Sequence, residues 1–421
     1  MIDLQEARRR VLSRCVPGRP RAVPLEEALG CVTSVAVSAD EAVPPFANTA
    51  VDGFAVRAAD VAAASTAAPV ILRVVGTIAA GSAPEPPVGP GEAVRILTGA
   101  PVPEGADAVV MVEDTDAWDG RSGRQAVGRT EASTVAVRRG VPGGTSIRPA
   151  GEDVAAGQVV FPPGTVLGPG HLGVLASVGM RRVPVYPRVR VGVLSTGDEL
   201  VDGGGPLGPG QIRDSNRRTL LALVAQANAE PVDLGLAGDD EAAITSVIAG
   251  GAGRCDAILT SGGVSVGDFD YVKVVLDRLS EGTMEWMQVA IKPAKPLAFG
   301  TVDGTPVFGL PGNPVSSMVS FECFARPALL QMMGHPRIDR MEVTAVADEP
   351  LRRRPDGKLH LVRVRVDWAD DDGRFHVRSS GGQASNLLRS MALANALALL
   401  PDGDGVEQGG EVRVRLLSWP G

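Results

Sequence analysis

Two periodicities divide this chain. At the start, Leu4, Val11 and Leu12 recur at helical spacing behind Asp3. Asp3 and Glu6 form a D-x-x-E start, so an amphipathic helix is expected there. A second short helix is expected after Pro24. From about Val32 to Arg139 the period shortens to β-rich runs such as "VILRVVGTI" (70–78), "AVRILTG" (93–99) and "AVVMVED" (108–114), split by Pro and Gly. Residues 141–183 are dense in Gly and Pro and are expected to fold back on the first helix as a connecting unit. From Pro187 strands and helices alternate. Strand-like runs at 189–195, 232–237, 256–261 and 306–310 are interleaved with helical patterns at 216–229, about 240–249 and from Tyr271. Such alternation predicts a mostly parallel sheet covered on both faces, whose ligands bind beyond the carboxyl ends of the strands. After a helix over 315–333, alternating strands at 341–348, 358–368, 374–380 and 411–418 predict a C-terminal barrel or sandwich. The domain division expected is 1–24 with 141–183, then 25–140, 184–334 and 335–421.

Length and composition support several ordinary folded domains. The chain has 421 residues, more than one hydrophobic core usually serves, with 44% apolar and 21% charged positions. No apolar run reaches eighteen residues and the N-terminus lacks a charged head followed by an apolar core, so no membrane partner and a cytoplasmic location are expected. Cys15, Cys31, Cys255 and Cys323 lie far apart and the histidines are scattered, which supports neither a disulfide framework nor a zinc site. A net charge of -8 argues against nonspecific nucleic-acid binding, so an anionic ligand must meet local positive charge. Of 41 basic residues only Lys273, Lys292, Lys295 and Lys358 are lysine, and three of these fall in one short stretch. Either a compact ammonium suits those positions or the clustering is chance.

Three of the predicted parallel strands end in loops of one chemical accent. "LSTGDELV" (194–201) offers Ser195, Thr196, Gly197, Asp198 and Glu199. "TSGGVSVGDFDY" (260–271) offers Gly262, Gly263, Ser265, Asp268 and Asp270, and "GLPGNPVS" (309–316) offers Pro311, Gly312, Asn313 and Ser316. Glycines admit a phosphate to backbone N–H groups, helix starts favour anions, and carboxylates can hold Mg²⁺. For any single loop, ordinary turn and N-cap chemistry explains the same residues equally well. Their recurrence at three strand ends favours a site. "GPGHLG" (168–173) lacks the strand and the acidic residue of a dinucleotide fingerprint, and no Walker A motif is present. Taken alone, "PPFANTAVDGFAVR" (44–57) and "RILTGAPVPEGADAVV" (95–110) read as turn and packing residues.

Together with "RPAGEDVAAG", "IRDSNR", "IKPAKP" and "GGQASNLLRSMALANAL", these nine ordered motifs resemble the molybdopterin molybdenumtransferase family, whose vertebrate relative is the E domain of gephyrin. The resemblance runs over essentially the whole chain, whereas the smaller pterin adenylyltransferases resemble only the α/β part. It implies a multidomain α/β and β fold: a three-layer α/β molybdopterin-binding domain, a β-rich inserted domain, a small linker domain and a C-terminal β-barrel. The implied reaction joins adenylylated molybdopterin and molybdate into molybdenum cofactor with release of AMP, assisted by Mg²⁺. By resemblance Glu199, Asp239 and Asp270 are the acidic residues near metal and phosphate, with Asp240 competing against Asp239. Ser195, Thr196, Gly197, Gly262 and Gly263 would cradle phosphate. Lys292, Lys295 and Ser265 would contact phosphates or molybdate. Asp214, Ser215 and Asn216 extend the pocket, and Pro311, Gly312 and Pro314 shape its wall. Asp52 and Thr98 match catalytic positions approaching from the β-rich domain, with Asp153 near the same cleft and Ser385 and Ser390 from the C-terminal domain. From their positions alone, Asp268 is expected to cap the helix starting near Tyr271, and Lys273 to be a solvated neighbour. Thr49, Val51 and Phe54 stand where relatives often carry Ser, Met and Tyr. The family implies a homodimer with the pocket between subunits, and an adenylyltransferase and molybdoenzymes as partners. A gephyrin-like scaffold or cofactor carrier, or a tungstate-inserting variant, are the competing functions.

Overall fold

A computed structural model describes residues 1–118, 134–263 and 271–419. Asp268, Asp270 and Ser265 therefore lie outside the described residues. At its centre a six-stranded sheet runs in the order Glu230–Ala237, Arg190–Thr196, Ala257–Ser261, Thr305–Leu310, Pro296–Val302 and Glu285–Gln288. The first four strands are parallel and the last two joins antiparallel. Strands Ala257–Ser261 and Thr305–Leu310 are buried at every position, which explains their continuous apolar runs. Val191, Val193, Leu259 and Phe308 pack with the Asn216–Gln226 helix on one face. Leu194, Ile258 and Val307 pack with the Glu241–Ala252 and Tyr271–Leu279 helices on the other. The mostly parallel α/β sheet is as expected; its antiparallel strands 285–288 and 296–302 were not individually foreseen.

The first helix, Leu4–Leu12, begins where the D-x-x-E pattern placed it, with Asp3 Oδ1 accepting the Glu6 N–H at 2.9 Å. It does not pack on the Gly/Pro-rich unit. Leu4, Ala7 and Val11 join the α/β core against the helical segment 314–332. That segment is not one regular helix. Pro314–Ser320 passes through a widened π-type turn, Phe321–Ala325, into Arg326–Met332. Pro327 has no N–H to give the carbonyl four residues back, and Arg8 Nη1 donates to that Cys323 carbonyl at 2.7 Å instead.

The connecting unit also differs from the sequence division at 24/25. Strand Arg182–Tyr186 pairs with both Arg21–Pro24 and Val32–Thr33, and Val159–Phe161 pairs with Val37–Ser38. Val23, Ala28, Cys31 and Val37 share a core with Leu167, Leu175, Val183 and Val185. Residues 25–39 thus pair with 159–186 rather than with the five-stranded sheet of the β-rich domain, formed by Gly53–Val56, Val70–Ile78, Glu92–Ile96, Ala108–Met111 and Thr134–Val137. Two-residue strands carry no period from which their partner can be read. Phe54, 4% exposed, sits inside that sheet's core.

In the C-terminal domain, Leu359–Ala369 pairs with both Arg374–Ser379 and Ala396–Leu400, and Glu342–Ala347 and Glu411–Leu416 complete the circuit. This five-stranded closed barrel settles the barrel-or-sandwich alternative. Ile291–Lys292 lies parallel to the start of Leu359–Ala369, which carries the "IKPAKP" segment to the barrel.

Candidate active site

The carboxyl ends of the parallel strands open into a cleft of about 860 Å³. Thr196, Gly197 and Glu199 line it after the first strand, Asp239 after the second, and Gly262 and Gly263 after the third. Pro311, Gly312 and Pro314 follow the fourth, and Asp214, Ser215 and Asn216 enter from the turn before the Asn216–Gln226 helix. Gly262 is needed for its backbone: φ is +100°, and a Cβ there would lie 2.9 Å from the Thr196 carbonyl oxygen. Asn216 ties the loops together, its Nδ2 donating to Ser261 Oγ and to the Gly312 carbonyl, both at 2.7 Å.

The neighbouring cavity, about 980 Å³, lies between the α/β domain and the barrel and shares Pro296 and Ser316 with the cleft. Its wall is strongly basic, with Lys292, Lys295, Arg352, Arg353, Arg354, Lys358 and Arg363 against one carboxylate, Asp356. Two of these cations differ instructively. Arg353 is ion-paired to Asp356 and Asp402. Among the described residues, Arg363, 1% exposed, donates only to neutral acceptors: Ser390 Oγ at 3.4 Å and the Gly382 and Ala384 carbonyls at 2.9 and 3.1 Å. Burial alone pushes its pKa below the ordinary guanidinium value. A buried cation without a counter-charge is costly, and an anion in the cavity would relieve that cost. Lys292 and Lys295 are exposed and make no ion pair among the described residues. His360 is held below its usual pKa by burial, reinforced by Arg353 and Lys292 and opposed by Asp356.

Several expectations shift. Lys292 and Lys295 line the basic cavity rather than the cleft. Ser195 is wholly buried and gives its Oγ to Asp214 Oδ1 at 3.0 Å. Strand alternation explains this, since it places Ser195 on the face opposite Thr196. Ser390 is also buried and lines neither cavity; it stands behind Arg363, while Ser385 reaches the basic cavity. Asp240 caps the following helix, Oδ1 accepting the Ala243 N–H at 2.7 Å, which leaves Asp239 as the member of the pair on the cleft. Asp52 and Thr98 meet each other, Thr98 N and Oγ1 each donating to Asp52 Oδ1 at 2.7 Å, but neither residue lines the cleft or the basic cavity. Asp153 lines neither cavity. Lys273 lies over the Trp286 ring at 5.4 Å and is not among the residues lining the cleft. Sequence reasoning missed Arg213, Asn386 and Tyr271 in the cleft and Arg363 in the cavity. Arg213, Asn386 and Tyr271 were already inside quoted motifs.

The donor set bears on Mg²⁺. Among the described residues no group of three or more His, Cys, Asp or Glu is placed to hold a metal. Glu199 and Asp239 nevertheless face the cleft, and two hard oxygen donors completed by substrate phosphates suit this ion, which is commonly held through one or two carboxylates. Among the described residues no helix is long and apolar enough to cross a membrane.

Comparisons with known proteins agree along the whole chain. Residues 2–179 match the MoeA N-terminal region (domain I and II), 192–331 a probable molybdopterin binding domain, and 344–417 the MoeA C-terminal region (domain IV). The chain is 41% identical over 406 residues to molybdopterin molybdenumtransferase 2 of Mycobacterium tuberculosis, covering 96% of each chain. To the molybdopterin molybdenumtransferase of Haemophilus influenzae it is 35% identical, covering 98% of this chain and 97% of that one. A molybdopterin biosynthesis MoeA protein from Pyrococcus horikoshii superposes with a TM-score of 0.78 at 29% identity, covering 100% of both chains.

Proposed function

The chain belongs to the molybdopterin molybdenumtransferase family, and from that premise we propose how its two adjoining cavities divide the reaction. The protein is a molybdopterin molybdenumtransferase of molybdenum cofactor biosynthesis, and on the reading proposed here its substrates are adenylylated molybdopterin and molybdate and AMP is released. The supporting observation is the junction at Pro296 and Ser316 between a glycine-edged cleft and a cavity rich in cations. The cleft takes the pyrophosphate-linked substrate. The basic cavity takes the small oxyanion, with Lys292, Lys295 and Arg363 supplying charge. A shared wall supports the reading that the two bind side by side, so that positioning supplies much of the acceleration.

Glu199 and Asp239, with Asp270, would hold Mg²⁺, which when bound neutralises phosphate charge and stabilises departing AMP. The chain's own groups do the rest. Gly262 and Gly263 let the backbone approach the substrate, Asn216 keeps the loops in register, and the lysines hold the oxyanion against the dithiolene. As two Mo–S bonds form, one molybdate oxygen takes the two dithiol protons and leaves as water, and a water adding across the pyrophosphate linkage releases AMP.

Asp52 and Thr98 form a preformed pair outside both cavities of their own chain. In a homodimer they complete the partner's cleft. An adenylyltransferase supplies the substrate and apo-molybdoenzymes receive the product, in the cytoplasm, where four buried free cysteines suit a reducing compartment.

Purified protein incubated with adenylylated molybdopterin, Mg²⁺ and either molybdate or tungstate is expected to release AMP, and Glu199→Gln to release far less. No AMP with either anion overturns the reading and favours a scaffold or carrier; release with tungstate alone identifies the tungstate variant. Mixing Asp52→Asn and Glu199→Gln subunits tests the dimer. Shared sites restore about a quarter of wild-type activity in a random mixture, whereas sites within one chain restore none.

A further inference from the structure

Behind the cleft, one buried cation gathers three carboxylates from three separate stretches of chain. Arg217, with 4% of its side chain exposed, donates Nε to Asp214 Oδ2 at 2.9 Å, Nη1 to Asp233 Oδ2 at 2.6 Å and Nη2 to Asp202 Oδ2. Burial opposes its charge, but the three carboxylates outweigh burial and hold its pKa above the usual guanidinium value. Arg217 itself lines neither cavity.

Its partners lead to the cleft by two routes. Asp214 lines the cleft although its carboxylate side chain is fully buried, and its Oδ1 accepts both Ser195 Oγ at 3.0 Å and the Arg217 N–H at 3.1 Å. Through it, Arg217 is coupled to the end of the Arg190–Thr196 strand and to Ser215 and Asn216. Asp202 opens the Gly/Pro-rich loop "DGGGPLGPGQ", which returns as Ile212 and Arg213 on the cleft wall. Arg213 Nη1 donates to the Gly203 carbonyl at 2.5 Å, closing that loop at its base. Asp233 is the fixed end, within the strand Glu230–Ala237.

We propose that Arg217 is a positioning residue for the transferase reaction, clamping the 202–216 wall of the cleft to the central sheet and balancing the Asp214 charge beside the substrate phosphates. The inference rests on the cleft being the site of the adenylylated substrate. A lysine cannot replace the clamp, because one ammonium lacks the planar fork that reaches three carboxylates at once. An apolar residue leaves Asp214 as a buried carboxylate without a counter-charge, next to a ligand that is itself an anion.

The test compares Arg217→Lys, Arg217→Met and Arg217→Met/Asp214→Asn with wild type, measuring AMP release against each substrate separately. Arg217→Met is expected to lower kcat/KM for adenylylated molybdopterin on the order of 100-fold, carried mainly by KM. KM for molybdate, which binds in the other cavity, should change less than twofold. A merely structural loss would lower the active fraction and leave both KM values alone. Arg217→Lys, which keeps a charge in place should the Met variant fail to fold, is expected to recover only part of the loss. The double variant should bind adenylylated molybdopterin more tightly than Arg217→Met, because the uncompensated carboxylate is gone. Wild-type KM values in Arg217→Lys, or equal shifts for both substrates in any variant, overturn the clamp. The underlying reading fails separately: Glu199→Gln and Asp239→Asn at wild-type activity would remove the cleft from the reaction, whatever Arg217 does.

Discussion

Adding one methyl group at Gly262 tests whether the strand-end loops form a fitted cradle. At φ +100° the Cβ of Gly262→Ala would sit 2.9 Å from the Thr196 carbonyl oxygen and 3.0 Å from Thr196 Oγ1. A left-handed backbone costs a non-glycine residue about 1–2 kcal/mol. The contact adds to this, because the opposing atom is backbone at the end of a strand paired on both sides and cannot swing away. A total of about 2–4 kcal/mol follows, of which part is relieved by moving the Gly262–Gly263 turn away from Thr196. Movement there displaces the surface meant for phosphate, so stability and substrate KM should worsen together. Gly210→Ala is the matched control. Its φ is +79° with nothing within 4 Å of the added carbon, so it carries the backbone cost alone, about 1–2 kcal/mol. Urea denaturation and AMP-release kinetics on the two variants separate the terms. If Gly262→Ala is no less stable than Gly210→Ala and its KM for adenylylated molybdopterin is unchanged, the close approach of Gly262 and Thr196 plays no part in binding.

Two further predictions concern buried groups. Arg363→Met removes a cation whose hydrogen bonds go only to neutral acceptors, so KM for molybdate should rise on the order of 10- to 100-fold, the worth of a hydrogen bond to a charged group. KM for adenylylated molybdopterin should change little, and an unchanged molybdate KM would remove Arg363 from the oxyanion site. His335, whose Nε2 is buried without a hydrogen-bond partner among the described residues, is held below its ordinary pKa of 6.5 by burial and then by Arg326. Between the two pKa values the unfolded chain takes up a proton that the folded chain refuses. Its contribution is therefore complete above pH 6.5 and is lost as pH falls through the lower, folded value. The urea midpoint of wild type should drop more steeply below pH 6.5 than that of His335→Gln; parallel curves would refute the assignment.

The central sheet was legible because strands covered on both faces must be apolar throughout, and helices between them must alternate. The loops at their carboxyl ends were legible for a related reason: Gly262 and Gly197 mark backbone conformations that other residues resist, at φ +100° and +141°. What was lost was the identity of partners. Val32–Thr33 and Val37–Ser38 are too short to announce that they pair with residues more than a hundred positions away. Asp239 and Asp240 could not be separated in advance, since with a helix expected from about 240 either fits the N-cap position, and only the bond from the Ala243 N–H to Asp240 Oδ1 assigns it.

Arg363 marks a different limit. In "LVRVRV" it and Arg365 stand two apart, so the alternation of a strand puts both on one face, and composition treats them alike. Arg365 is exposed and pairs with Asp367, whereas Arg363 is covered where the barrel meets the α/β domain and finds only carbonyls and a hydroxyl. Only the tertiary neighbour separates an ordinary surface charge from an uncompensated one. The same reasoning resolves how a chain of net charge -8 can serve anionic substrates. Positive charge is concentrated in the basic cavity, while the carboxylates Glu199 and Asp239 face the cleft. Those carboxylates would repel a pyrophosphate unaided, so on the proposed division of labour the dependence on Mg²⁺ belongs to the adenylylated substrate, and the dependence on Lys292, Lys295 and Arg363 belongs to the oxyanion.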